Sequence, residues 1–301
     1  MLKKPRSEPA EIKILTYLNT RMELPENDKQ NYLFLKKGYE GEVLFDSLTE
    51  KLQCECFIIN DLLLEMNNTM FQIDSLIVSQ NTIYLFEIKN YEGDFYYERD
   101  RLYTKTQSEI KNPLLQLKRS ESLLRQLLQK LGFPFPIEAW VVFINPEFTL
   151  YQAPLNEPII FPSQLNRFMK KVNTTQSKLN GQHWKIAEKL TSLHIEESPY
   201  NRLPAYEYNQ LRKGITCKVC HSFFVSVRSK KCVCDVCEHE EAVDCAVLRS
   251  VEECKLLFPG SNITTNLIHE WCKVIETKKK INRILHSHLK IEGVRQWAYF
   301  K

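Results

Sequence analysis

Two groups of residues in this sequence have the types and spacing of chemistry. The first is Asp74, Glu87 and Lys89. Asp74 lies thirteen residues before Glu87, with the turn-type run Ser79-Gln80-Asn81 between them, so a hairpin would bring the two carboxylates together. Glu87 and Lys89 share one face of the strand Ile83-Tyr84-Leu85-Phe86-Glu87-Ile88-Lys89. A strand buried on both faces has no reason to end in two charges on one side unless they are used. Two carboxylates and an ammonium at one sheet edge suit metal-assisted phosphodiester hydrolysis. Mg²⁺ takes one or two carboxylates, keeps several waters and lowers the pKa of a bound water. Lys89 would orient or help deprotonate that water, or offset charge developing on the phosphoryl group. Glu42, on the preceding helix, is a candidate for a further ligand or water contact. The plain alternative is an ion pair between Glu87 and Lys89 on an edge strand.

The second group is Cys217-Lys218-Val219-Cys220 and Cys234-Asp235-Val236-Cys237, two C-x₂-C knuckles thirteen residues apart. Two such knuckles complete a tetrahedral four-sulfur shell of the structural zinc type, with no open position for catalysis. The intervening Phe223–Val227 reads as a strand, so a zinc ribbon is expected. Cys232 in place of Cys234, or His221 or His239 at one position, are rival ligands, and an iron–sulfur cluster is a lesser alternative. Cys54, Cys56, Cys245, Cys254 and Cys272 lack metal spacing and read as small buried hydrophobes.

The elements that must position these groups follow from periodicity. Residues 10–53 read as helical, with Val43, Leu44, Leu48 and Leu52 near one stripe of a helix beginning at Gly38. Strands are expected at 56–64, 70–78 and 82–89 and a short hairpin at 94–104. A helix follows at 112–131, with Asn112 as N-cap and Pro113 at its first position. A buried strand at 138–144, a strand near 159–161 and helices at 163–172 and 176–193 complete the region. The order is α-β-β-β-α-β, an α/β core with a mixed central sheet. The expected domains are 1–195 with its core at about 35–150, a linker at 196–211 that includes Pro199–Pro204, the ribbon at 212–240, and a helical domain at 241–301. The 43% hydrophobic and 26% charged composition is globular, and no apolar run approaches a membrane span. No export signal is visible, so a cytoplasmic protein without a membrane partner is expected, where cysteines bind metal rather than cross-link.

Gly38-Tyr39-Glu40-Gly41-Glu42, Gln72-Ile73-Asp74, Glu87-Ile88-Lys89-Asn90-Tyr91-Glu92-Gly93 and Asn112-Pro113-Leu114-Leu115-Gln116 occur in that order. Together they resemble the nuclease-related domain (NERD) family, a branch of the PD-(D/E)xK nucleases, over about residues 35–150. The resemblance implies a restriction-endonuclease-like αβββαβ core and Mg²⁺- or Mn²⁺-dependent cleavage of DNA. It implies Asp74 and Glu87 as metal ligands, Lys89 as the catalytic lysine, and Glu42 and Gln116 as supporting polar residues from the flanking helices. Read without the family, Gln116 is an exposed helix glutamine. Gly93 is read as a turn residue at positive φ.

The C-terminal segment resembles a helix-turn-helix. One helix opens at 263–268, and a second begins after the cap Thr277, with Ile268, Trp271, Ile281, Ile284 and Leu285 as a small core. Lys278, Lys279, Lys280, Asn282 and Arg283 suit phosphate and base-edge contacts. Residues 290–301, turning at Gly293, would form a wing. Residues 261–301 hold eight Lys or Arg against three Glu, a net +5 that exceeds the +4 of the whole chain. A helical dimerisation surface, giving a homodimer, is the alternative. The expected function is a metal-dependent deoxyribonuclease targeted by the two C-terminal modules. Non-catalytic DNA binding or regulation on a nuclease-like scaffold is the second reading. No G-x-x-x-x-G-K-[ST] run supplies an ATPase.

Overall fold

The computed structural model describes residues 1–196, 202–294 and 297–301. They form two compact units: residues 1–8 with the chain from Leu33 onward to 196, and Pro9–Tyr32 with the chain from Arg202. In chain order the elements of the first part are β1 (Leu2–Lys4), α1 (Ala10–Arg21), α2 (Glu26–Thr49), β2 (Phe57–Met66), β3 (Thr69–Val78) and β4 (Ile83–Lys89). Then come β5 (Gly93–Glu98), β6 (Arg101–Thr104), β7 (Glu109–Ile110), α3 (Pro113–Lys130), β8 (Ile137–Phe143), β9 (Phe148–Tyr151), β10 (Ile159–Ile160), α4 (Leu165–Thr174) and α5 (Gly181–Ser192).

The first unit is built on a sheet of order β1-β2-β3-β4-β8-β10. The pairs β2–β3 and β3–β4 are antiparallel, and β1–β2, β4–β8 and β8–β10 are parallel, so the sheet is mixed. The α-β-β-β-α-β order read from the sequence is α2-β2-β3-β4-α3-β8 in the fold. One sheet face packs Ile58, Ile77, Tyr84, Phe86 and Val142 with Phe45 of α2 and Leu165 and Met169 of α4. The other packs Leu76, Ile83, Leu85 and Val141 with Leu117, Leu124 and Leu128 of α3 and Ile186 and Leu190 of α5. Asn67 and Asn68 take φ of 50° and 57° in the β2–β3 turn, a conformation that asparagine tolerates better than most residues. Asn112 caps α3 by accepting the Leu114 N–H at 3.0 Å, and Pro113 follows at the first helical position.

Three features depart from the sequence reading. The expected hairpin at 94–104 is half of a four-stranded sheet, β7-β6-β5-β9, which buries Phe95, Leu102 and Phe148 in the main core. Strand β1 is a short basic edge strand, too brief to show periodicity. The stripe expected on α2 holds only in part: Leu48 and Leu52 pack on the core, but Val43 and Leu44 are exposed while Phe45, Asp46 and Thr49 are buried. Polar residues occupy the inward face of this helix because they have partners there, described below.

In the second unit, β11 (Val225–Arg228), β12 (Lys231–Cys234) and β13 (Glu240–Ala242) form an antiparallel sheet. Helices α6 (Val243–Leu257), α7 (Thr265–Cys272) and α8 (Lys278–His288) follow, then the antiparallel pair β14 (Ile291–Glu292) and β15 (Tyr299–Phe300). Gly293 opens their connection at φ +85°; Gln296, expected in the strand-like tail, lies outside the described residues. Helix α1 belongs to this unit through Ile14 and Leu18, which join Val247, Val251, Trp271 and Ile284 in one core. Arg21 of α1 is buried there, bidentate on Glu253 at 2.6 and 2.7 Å and 4.1 Å from the Trp271 ring centre. Residues 197–201 of the expected linker lie outside the described residues, whereas Leu203, Tyr206 and Leu211 pack on this core. Among the described residues no helix is long and apolar enough to cross a membrane.

Gly41 is the point where α2 meets the end of β4. A Cβ there would stand 2.5 Å from Asn90 Cβ and 3.1 Å from Ile144 Cγ2, whereas one at Gly38 would meet nothing within 4 Å. Gly41→Ala should therefore destabilise the chain by about 1–3 kcal/mol. Gly38→Ala in the same helix should stabilise it by about 0.5–1 kcal/mol. Urea unfolding of both variants checks this, and equal effects would refute the close approach at Gly41.

Candidate active site and cysteine cluster

The acidic edge is made by an interruption in the sheet. Strands β3 and β4 pair from Val78↔Ile83 to Ser75↔Phe86, which makes Asp74 and Glu87 the next opposed residues, just past the last rung. On its other side β3 pairs with β2 at Asn60↔Ser75 and Leu62↔Ile73 but not at Asp61 and Asp74. Asp61 there takes φ +54°. Asp74 thus stands outside both ladders, and its Oδ2 accepts the Ile88 N–H at 2.7 Å. The carboxylate takes the place of a strand partner for β4, and so is fixed beside Glu87.

Glu87 and Lys89 continue the face of Ile83 and Leu85 toward α3. Lys89 Nζ lies 2.6 Å from Glu87 Oε1 and 3.5 Å from Gln116 Oε1. Glu87 is buried, and its Oε1 is held by this ion pair. Glu42 comes from α2, on the opposite layer. It meets the guanidinium of Arg6, which also holds Asp46 through Nε at 2.9 Å and Nη2 at 3.1 Å, and donates to the Asp74 carbonyl at 2.7 Å. The five residues expected in the site, Glu42, Asp74, Glu87, Lys89 and Gln116, therefore come from four elements to one region.

Arg6 and Asp46 escape a reading of the sequence alone. The available signal is a pair of acids four residues apart on one helix face, Glu42 and Asp46, which needs a buried cation if that face is inward. Arg6 follows the short edge strand β1, which has no periodic signal.

Burial dominates the ionisation of the carboxylates. It pushes Glu42 up to about 8, reinforced by Asp74 and opposed by Arg6. It pushes Glu87 up to about 8 as well, reinforced by Asp74 and opposed by Lys89. Asp74 is raised by burial against the pull of Lys89 and the Ile88 N–H. Lys89 is also desolvated, but Glu87 and Asp74 hold it above its ordinary value. Hard oxygen donors and mutual repulsion between buried carboxylates are what a small divalent cation would satisfy. The donor set at Asp74 and Glu87 fits Mg²⁺ or Mn²⁺.

The thiols of Cys217, Cys220, Cys234 and Cys237 lie within 4.8 Å of one another and could hold a metal ion such as zinc. Among the described residues this is the group of three or more such ligands that is gathered so tightly; the acids of the first unit are spread more widely. The two knuckles are alike. The first sulfur of each accepts the N–H two residues on, from Val219 and from Val236, each at 3.4 Å. Each knuckle ends on a left-handed residue, His221 at φ +57° and Glu238 at φ +60°. Cys232 lies outside this group of four. It points into the core, where burial pushes its thiol up to about 11. Neither His221 nor His239 joins the cluster. Of the five cysteines expected in the core, Cys56, Cys254 and Cys272 are buried and Cys54 is half-buried. Cys245 is exposed on α6, since Val243, Ala246 and Val247 take that helix's inward positions.

In α8, Ile281, Ile284 and Leu285 are buried, while Lys278, Lys279, Asn282 and Arg283 are exposed and Lys280 is half-buried. Thr277 caps the helix. Lys278 Nζ donates to Asn266 Oδ1 at 2.8 Å, and Asn282 Oδ1 meets Thr265 Oγ1 at 3.0 Å. Lys273 turns the chain out of α7 at φ +56°, a role more often given to glycine.

Raised carboxylates make stability depend on pH. Glu42 and Glu87 bind protons more tightly folded than unfolded, so their contribution is greatest in acid and is lost from about pH 4.5 to about pH 8. The melting temperature of metal-free protein should fall across that interval, and Glu87→Gln should flatten the fall. A wild-type slope no steeper than that of the variant would contradict the burial of Glu87.

Residues 37–144 match the model of the nuclease-related domain (NERD) family. No curated protein matches the chain by sequence. Among solved structures the chain is similar to protein VC1899 from Vibrio cholerae, at 13% identity and a TM-score of 0.25, over 55% of this chain and 37% of that one. The chain thus spans well under half the length of that protein. Strands β2 to β4, helix α3, strand β8 and the Glu42 end of α2 all fall inside the matched residues, and the chain carries a nuclease-related domain there.

Proposed function

We propose that the first unit is a metal-dependent deoxyribonuclease, hydrolysing DNA phosphodiester bonds at the edge formed by Asp74, Glu87 and Lys89. The observation that carries this reading is the break between β3 and β4, which sets two carboxylates and an ammonium together, with Glu87 buried against Lys89. Asp74 and Glu87 would hold Mg²⁺ or Mn²⁺, which supplies Lewis acidity and a water of lowered pKa. Asp74 is oriented for this by the Ile88 N–H. Lys89, paired with Glu87, acts as a fixed ammonium that orients the attacking water and offsets charge developing on the phosphoryl oxygens. Gln116 accepts from Lys89 and steers it. Glu42 completes the acidic surround from α2.

The second unit carries the targeting role. The four cysteines hold structural Zn²⁺, whose four-sulfur shell leaves no open position. Helices α7 and α8 with the β14–β15 hairpin act as a winged helix-turn-helix, with Lys278, Lys279, Lys280, Asn282 and Arg283 facing DNA. Removing one phosphate-binding side chain should reduce the salt dependence of binding by about one unit of slope.

Cleavage of single-stranded, duplex and branched DNA with Mg²⁺ or Mn²⁺ tests the enzyme. Wild type should cut, and Glu87→Ala and Lys89→Ala should lose at least about a hundredfold in rate, the usual scale for losing an electrostatic stabiliser. Binding without cleavage would move the chain to the non-catalytic DNA-binding reading, and cleavage unchanged in both variants would refute the assignment of the reaction to this edge. In the same assay Lys279→Ala with Arg283→Ala should weaken binding and flatten its salt dependence while leaving the fold intact, since both side chains are exposed. For the ribbon, metal analysis should find about one zinc per chain, lost in Cys217→Ser. A folded zinc-free wild type would refute it.

A further inference from the structure

Arg6 is a heavily engaged buried charge of the first unit, and the proposed reaction leaves it without a role. Its side chain is 3% exposed. All three guanidinium nitrogens are used: Nη1 on Glu42, Nε on Asp46, and Nη2 on both Asp46 and the Asp74 carbonyl. A guanidinium stays protonated in proteins, so this charge cannot leave by deprotonation.

We propose that Arg6 is a built-in cation that limits the acidic edge to one divalent ion, and that Glu42 is its partner rather than a metal ligand. This rests on the reading of Asp74 and Glu87 as a metal site. In a two-metal site the second ion sits about 3.5–4 Å from the first and draws on further carboxylates. The further carboxylates at this edge are Glu42 and Asp46, on the α2 side of Asp74, and the guanidinium already bridges both and reaches the Asp74 backbone. Charge gives the same count. Were a bound ion to hold Glu42, Asp46, Asp74 and Glu87 all ionised, the two cations placed among them, Arg6 and Lys89, would leave two negative charges, which one divalent ion balances. Asp61, the next acid to act on this group, has Lys4 against it. A planar fork is suited to this place because it can hold one carboxylate bidentately and a second at its remaining edge.

The test counts ions. Zinc-loaded chain would be titrated with Mn²⁺, with stoichiometry from calorimetry and the electron paramagnetic resonance spectrum recorded at saturation. Wild type should bind one Mn²⁺ outside the cysteine cluster, lost in Glu87→Gln. Arg6→Lys, which keeps the charge, should also bind one. Arg6→Met should gain a second ion with an exchange-coupled spectrum, and Arg6→Met with Glu42→Gln should return to one. Two ions in wild type, or one in a folded Arg6→Met protein, would overturn the proposal; if Arg6→Met does not fold, Arg6→Gln, which also removes the charge, takes its place with the same two outcomes. No Mn²⁺ bound by wild type would instead bring down the metal-site reading beneath it.

Discussion

Where β3 parts from its neighbours, the Asp74 carboxylate takes the Ile88 N–H that the ladder no longer uses. The arrangement of the first unit follows from that bond. It holds a buried acid beside a second one, and neither could stay ionised there without opposing charge. Lys89 supplies that charge at Glu87 and Arg6 supplies it at Glu42 and Asp46, while Gly41 lets α2 approach closely enough to deliver its acids. The short strand β1 then has a purpose beyond edge pairing, since it places Arg6. Apolar residues of similar volume in place of the whole group would often leave such a sheet as stable or more so, so stability alone does not account for the charges.

The second unit solves a different problem. Its three short strands are too small to hold four thiols together by packing alone, and the paired knuckles with their N–H to sulfur contacts are arranged for a central ion. The three-stranded sheet adds Val225 and Cys232 to the same core as α6, α7 and α8, so an ion held by the knuckles would also support the helix packing. A buried bidentate pair, Arg21 with Glu253, brings α1 into that core and explains why an early helix sorts with the end of the chain.

Much of this is legible in the sequence, and the reasons are local. Asp74, Glu87 and Lys89 stand out because charges interrupt an apolar strand, and their juxtaposition follows from hairpin register. The cysteine spacing carries its own geometry, and Asn112-Pro113 marks a helix start. Arg6 and Asp46 are not legible, because a buried charge is recognisable only once its partner is known to be buried. The same ignorance misplaces part of the inward face of α2. Apolar periodicity assigns Val43 and Leu44 to the core, whereas Glu42 and Asp46 turn inward to meet Arg6. Cys232 and Cys234 share one face of β12, two residues apart, so strand alternation does not tell them apart; the matching C-x₂-C spacing of Cys234 and Cys237 does.

Whether Asp74 and Glu87 form a divalent-cation site is tested most directly by anomalous diffraction at the manganese edge from crystals soaked in Mn²⁺. A single peak is expected in the first unit, within bonding distance of an oxygen of each carboxylate and clear of Arg6. No peak there, or a peak elsewhere with Asp74 and Glu87 uncoordinated, would contradict the assignment.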